Sequence, residues 1–321
     1  MTRQSVTYPN RYGIVVAADL YLPKNIDKSQ KHAALIVGTP YGGVKEQGVG
    51  IYAQNMAERE FVAIAFDESF IGESGGAPRK VSSSDVFVED FSGGVDYLGT
   101  LPFVDRQRIG VLGMCGSGAF AITAAQIDHR IKAIATSSMV DMSTVRRQII
   151  KSGDRQKNLD QLAEQRWKDV DNGTMQLLPQ FPSKPVDKVP DGLDPMSAEF
   201  FEYYGLKRGH HPNAGGAFTV TSDMSLVNFP LMSDIDQISP RPILFITGDI
   251  SFSRMFSEEA FKKAAQPKEL FVVPGARHID LYDRTVLIPF DKLSSFFHEH
   301  LKASGAATAS TSVETNSVNV K

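Results

Sequence analysis

The sequence holds one cysteine and one tryptophan in 321 residues. A single thiol excludes an intramolecular disulfide and any Cys-cluster metal site, so no metal is expected. Neither sign of charge dominates: 34 Lys and Arg against 37 Asp and Glu leave a formal net charge of −3, without a basic stripe. That argues against a nucleic-acid partner. No apolar run approaches the length of a membrane span, and the polar start of the chain lacks the apolar core of a signal peptide. No membrane partner is expected, and the expected compartment is the cytoplasm. What remains is ordinary: hydrophobic and charged fractions of 42% and 22% are those of a typical soluble protein. The 321 residues are enough for one large α/β domain with a substantial core or for two small ones.

One stretch organises the rest. Residues 109–112 are an apolar, β-branched run that reads as a short buried strand, and a helical run, 119–126, follows almost at once. Between them stand Gly113, Met114, Cys115, Gly116, Ser117 and Gly118. A strand that becomes a helix within one residue forces that residue to positive φ, and the positions two before and two after must be small. Those positions are Gly113 and Ser117, which puts Cys115 at the bend of a nucleophile elbow. Taken alone the pattern is loose, because a free cysteine is usually a small buried hydrophobe. Ser117 competes for the nucleophile role, but in this register it falls on the first helical turn.

Strand-like runs recur around the elbow. Residues 5–8 and 14–22 flank a turn, 33–37 and 61–66 are continuous apolar runs, and 131–136, 243–247 and 270–273 follow the elbow helix. Helical patterns separate them, including 51–59, 86–98, 258–265 and 287–301. This alternation predicts a doubly wound, mostly parallel sheet with its strand C-termini along one ligand-binding edge. Residues 139–236 break the rhythm with helical pieces, Pro-rich links and Trp167, and are too long for a plain loop. They are expected to cap the strand ends, which assigns 1–138 and 237–302 to the core and leaves 303–321 as a disordered tail. The cap aromatics, Trp167 and Phe201 in particular, are candidates to line a substrate pocket.

A thiol nucleophile needs a base and a group that orients the base. Of seven histidines, His278 follows the 270–273 strand by a short loop and so returns to the edge where Cys115 sits. Asp249 stands just past the 243–247 strand on the same edge. The order Cys115, Asp249, His278 is the nucleophile, acid, histidine order of α/β-hydrolases. Asp141, beyond the 131–136 strand, is the next candidate acid; Asp280 is less suited to reach the far nitrogen of His278. An oxyanion needs two backbone donors. Gly116 supplies one, and Tyr41, or Gly42 after it, supplies the other, because Pro40 has no N–H.

Five blocks in order carry a resemblance: residues 38–47 (GTPYGGVKEQ), 65–75 (AFDESFIGESG), 110–118 (GVLGMCGSG), 248–258 (GDISFSRMFSE) and 274–283 (PGARHIDLYD). Over about residues 5–301 the chain resembles the α/β-hydrolases related to dienelactone hydrolase, above all the YcjY-like group, and also the fungal polyketide transferase and thiohydrolase family. The resemblance implies an α/β-hydrolase fold with a helical cap insertion, no cofactor, and a Cys nucleophile partnered by Asp249 and His278. Three departures stand out: Thr39 and Tyr41 flank Pro40 where a His and a small residue are expected, Asp249 replaces a frequent Glu, and Glu60 takes a helix-ending position usually held by Gly. The function implied is hydrolysis of activated acyl compounds, namely esters, thioesters or enol lactones. The alternatives are acyl transfer to an alcohol or amine, and a non-catalytic small-molecule binding protein. A small acyl compound is the expected partner.

Overall fold

Small and β-branched residues in unbroken runs are what a strand covered on both faces requires, and such runs build the centre of the sheet. The computed structural model describes residues 1–214 and 217–303. Eight strands, β1 (Thr2–Pro9), β2 (Val15–Leu22), β3 (His32–Gly38), β4 (Val62–Phe66), β5 (Val104–Met114), β6 (Ile131–Ser137), β7 (Ile243–Gly248) and β8 (Lys268–Val273), form one sheet in the order β1-β2-β4-β3-β5-β6-β7-β8. Only β2 runs against its neighbours; β4, β3 and β5 through β8 pair in parallel. Strand β5 begins five residues before the apolar run, because Val104 already pairs with His32; the register then shifts and the ladder resumes at Ala34 and Ile109.

Crossover helices α1 (Gly48–Glu58), α2 (Ser84–Thr100), α3 (Ser117–Ile127) and α8 (Arg254–Lys263), with α10 (Phe290–His300) after the last strand, cover the two faces. Two apolar cores result, one on each side of the sheet, built around Phe91 and Phe120 on one side and Tyr52 and Phe297 on the other. Helix α8 starts four residues earlier than its apolar pattern suggests, since the chain turns at Ser251 to Ser253 and Arg254 opens the helix. Glu60 follows α1 at φ +73°, a left-handed backbone that costs a non-Gly residue about 1–2 kcal/mol.

The chain winds from β3 outward to β4 and then crosses back to β5 on the other side of β3. That reversal opens a crevice at the C-terminal ends of β3 and β5, the place where open α/β sheets bind ligands. Between β6 and β7 lie helices α4 (Met142–Ser152), α5 (Arg155–Asn172), α6 (Pro195–Tyr204) and α7 (Asp223–Asn228), and a single turn, α9 (Asp280–Asp283), follows β8. The expected tail lies, from residue 304 onward, outside the described residues. No helix among the described residues is long and apolar enough to cross a membrane.

Candidate active site

Cys115 connects β5 to α3 at φ +52°. Its amide donates to the Ser137 carbonyl at 3.0 Å, and its own carbonyl accepts from Val140 at 2.9 Å, so the end of β6 holds the strained residue in place. Gly113 cannot carry a side chain: a Cβ there would lie 2.2 Å from the Ser117 carbonyl oxygen. Gly116 is equally constrained, because its Cβ would meet that of Tyr41 at 2.8 Å. The missing side chain lets the loop after β3 close onto the elbow.

That approach brings two donors to the thiol. The sulfur of Cys115 is within hydrogen-bonding reach of the Gly116 and Tyr41 amides and of the Tyr282 hydroxyl. Gly42, the other candidate donor, aims its amide at Glu68 behind the elbow. The Tyr41 ring is fixed against Phe218, with centroids 4.1 Å apart. Burial is the largest influence on Cys115 and raises its pKa above that of an ordinary thiol.

His278 is fully buried. Its Nε2 lies 2.9 Å from the Tyr282 hydroxyl and its Nδ1 2.7 Å from Ser253 Oγ. Phe252 stacks on the imidazole at a centroid distance of 4.5 Å, and Phe200 meets it edge-on. This apolar enclosure lowers the histidine pKa to about 3, so the ring is neutral. Tyr282, one helical turn after His278 on α9, thus stands between the histidine and Cys115. Its four-residue spacing from His278 was a signal that the triad pattern passes over.

The structure does not bring Asp249 to His278. Asp249 is exposed and its carboxylate accepts from the Gly275 amide at 2.7 Å, bracing two loops, while the turn beyond it delivers Ser253 to Nδ1. Asp141 is the N-cap of α4, accepting from the Thr144 amide at 3.0 Å and its hydroxyl at 2.6 Å. Asp280 is drawn into ion pairs with Arg277, Arg208 and Arg284. Together with Glu202 on α6 this cluster fastens the His278 loop to the segment above it.

Above Cys115 opens a cavity of about 560 Å³ whose walls include Met142, Val145, Phe181, Phe200, Tyr204 and Phe252. Trp167 is not among its walls: it is 68% exposed on α5, a charged helix in which Leu162 is the buried residue. Phe201 stands one layer back, packed edge-on at 5.9 Å against Phe181, which does line the cavity. Among the described residues no group of His, Cys, Asp and Glu side chains could hold a metal ion.

Strand order, elbow and backbone donors define an α/β-hydrolase. No family model matches the chain. It is 48% identical to the uncharacterized protein PA2218 of Pseudomonas aeruginosa over 93% of this chain and 81% of that one, whose crystal structure superposes with a TM-score of 0.87 over 93% and 94% of the two chains. It is 33% identical to protein YcjY of Escherichia coli over 92% and 98%. The chain belongs to the YcjY-like group of α/β-hydrolases. More distantly it is related to the polyketide transferase grgF of Penicillium, at 24% identity over 85% and 90%, which shares the fold with a TM-score of 0.76 over 94% and 99%; shorter alignments reach fungal thiohydrolases.

Proposed function

We propose that the protein is a cysteine-dependent acyl hydrolase acting on esters or thioesters whose acyl chain lies in the cavity above the elbow, and that Cys115 carries the acyl group. The observation that bears this reading is the placement of the thiol beside two backbone donors, Gly116 and Tyr41. A carbonyl attacked by Cys115 places its oxygen where those amides point, and each such donor contributes about 3 kcal/mol to the tetrahedral intermediate. With the imidazole proton on Nδ1, directed at Ser253, Nε2 accepts from Tyr282. The thiol proton then passes to the Tyr282 oxygen as the Tyr282 proton passes to Nε2. The relay returns a proton to the leaving group, and a water attacks the thioester bond to Cys115 by the same route in reverse.

A buried neutral histidine disfavours a resting thiolate–imidazolium pair, so proton transfer accompanies attack. This favours substrates whose leaving group departs easily, and thiols and acidic alcohols do so more readily than amines. Relatives named thiohydrolase support the thioester in that class. Acyl transfer is the second reading; the apolar cavity over Cys115, which restricts water, and the relatives named polyketide transferase favour it. Both readings share the acyl-enzyme. The test is turnover of a chromogenic ester and a medium-chain thioester: wild type is expected to release product, and Cys115→Ala to lose at least about 10⁴-fold in kcat/KM. Undiminished turnover by Cys115→Ala contradicts both readings.

A further inference from the structure

Four residues of α4, Met142, Val145, Arg146 and Ile149, line the cavity. They are spaced i, i+3, i+4, i+7, the single inward stripe of a helix, and three are apolar as that stripe requires. Arg146 interrupts it and, among the described residues, is the one Lys, Arg, Asp or Glu in the cavity wall. Its ion pair with Asp223 on α7 does not satisfy it. The Nε and Asp223 Oδ1 are 3.1 Å apart, yet both atoms are buried without a hydrogen bond. Its other nitrogens make no hydrogen bond with any described residue. The neighbouring Arg147 donates from Nε to the Val227 carbonyl at 2.9 Å, and Arg208 reaches Glu202, Asp280 and Asp283. Nε faces Asp223, whereas the Nη groups are not enclosed and are left to meet a ligand from the cavity; the planar guanidinium fork matches a carboxylate.

We propose that Arg146 selects the substrate: the site takes acyl chains that carry a carboxylate, bound by the Arg146 guanidinium while the acyl carbonyl lies at Cys115. Placement of the carbonyl rests on the acyl-enzyme reading; placement of the carboxylate does not. Tyr41, whose amide reaches Cys115, lines the same cavity as Arg146, so one ligand can meet both ends. The apolar walls then hold the methylenes between them. The substrate class is a half-ester or half-thioester of a dicarboxylic acid. Asp223 holds the guanidinium from outside the cavity lining and is a positioning residue.

The test uses N-acetylcysteamine thioesters of matched length ending in carboxylate or methyl. The wild type is expected to prefer the carboxylate, and Arg146→Met to lower the carboxylate-to-methyl ratio of kcat/KM by about 30-fold or more. Asp223→Asn, which loosens the guanidinium without removing it, is expected to lower the same ratio by a smaller factor, about threefold. If both thioesters fall together in Arg146→Met and Asp223→Asn alike, Arg146 only ties α4 to α7 and the proposal is overturned. Calorimetry with the Cys115→Ala protein separates this from the chemistry, using the same pair as unreactive thioethers. Tighter binding of the carboxylate that is lost with Arg146→Met sustains the proposal even if no thioester turns over. Equal binding of the two ligands overturns it even if both are hydrolysed.

Discussion

Cys115 and Ser117 stand two residues apart on one turn and face opposite worlds. The Cys115 side opens on the apolar cavity, with the Tyr41 and Gly116 amides, the Tyr282 hydroxyl and, behind it, the neutral His278. The Ser117 side is sealed: its hydroxyl, fully buried, donates to Glu68 Oε1 at 3.2 Å. Glu68 is itself buried, and desolvation holds its carboxyl well above the usual range, with the charge of Asp90 adding to the effect. Both sides therefore disfavour the charged form of an ionisable group by removing water. They differ in access, and access is decided by the register of the elbow. A serine hydroxyl beside a buried carboxyl would look like a nucleophile and its base in a bare inventory of contacts; its place behind the turn makes it packing.

The largest effect that sharpens this contrast belongs to His278. His278→Gln is expected to lower kcat by about 10³-fold, and Tyr282→Phe by about 10- to 100-fold, because the relay is broken while the fold is kept. An unchanged rate in Tyr282→Phe would mean that His278 swings to meet the thiol directly. In the same proteins, alkylation of Cys115 is expected to rise with pH through a value above that of an ordinary thiol, since burial disfavours the thiolate.

A smaller effect separates the two groups beyond His278. Ser253→Ala is expected to lower kcat about tenfold by freeing Nδ1, whereas Asp249→Asn is expected to change it less than about threefold. These figures sit at the low end of what an orienting partner contributes. The reverse order of effects would restore Asp249 as the orienting carboxylate in a rearranged loop.

Much of this was legible in the residues. Continuous apolar runs marked the central strands, because strands buried on both faces cannot alternate. Small residues at 113 and 117 marked the elbow, whose bend falls at Cys115 with φ +52°, and the loop after the last strand marked His278 as the histidine that returns to that edge. The orienting group was not legible: Asp249 and Ser253 leave the same strand end, and only the turn at Ser251 decides which reaches Nδ1. Trp167 misled because large aromatics are usually buried, yet α5 is charged nearly all round and leaves the indole outside. Arg146 and Tyr282 were readable in principle from helical spacing. Neither stretch announces itself as a helix that faces a site, since α4 is short and α9 is a single turn.

The register of the elbow is tested most directly by finding the acylated atom. A slow acyl donor, quenched in acid during turnover and mapped by peptide mass spectrometry, is expected to leave the acyl mass on Cys115 alone, with Cys115→Ala giving no adduct and Ser117→Gly still giving one. Acyl mass on Ser117 with Cys115 unmodified would contradict the account.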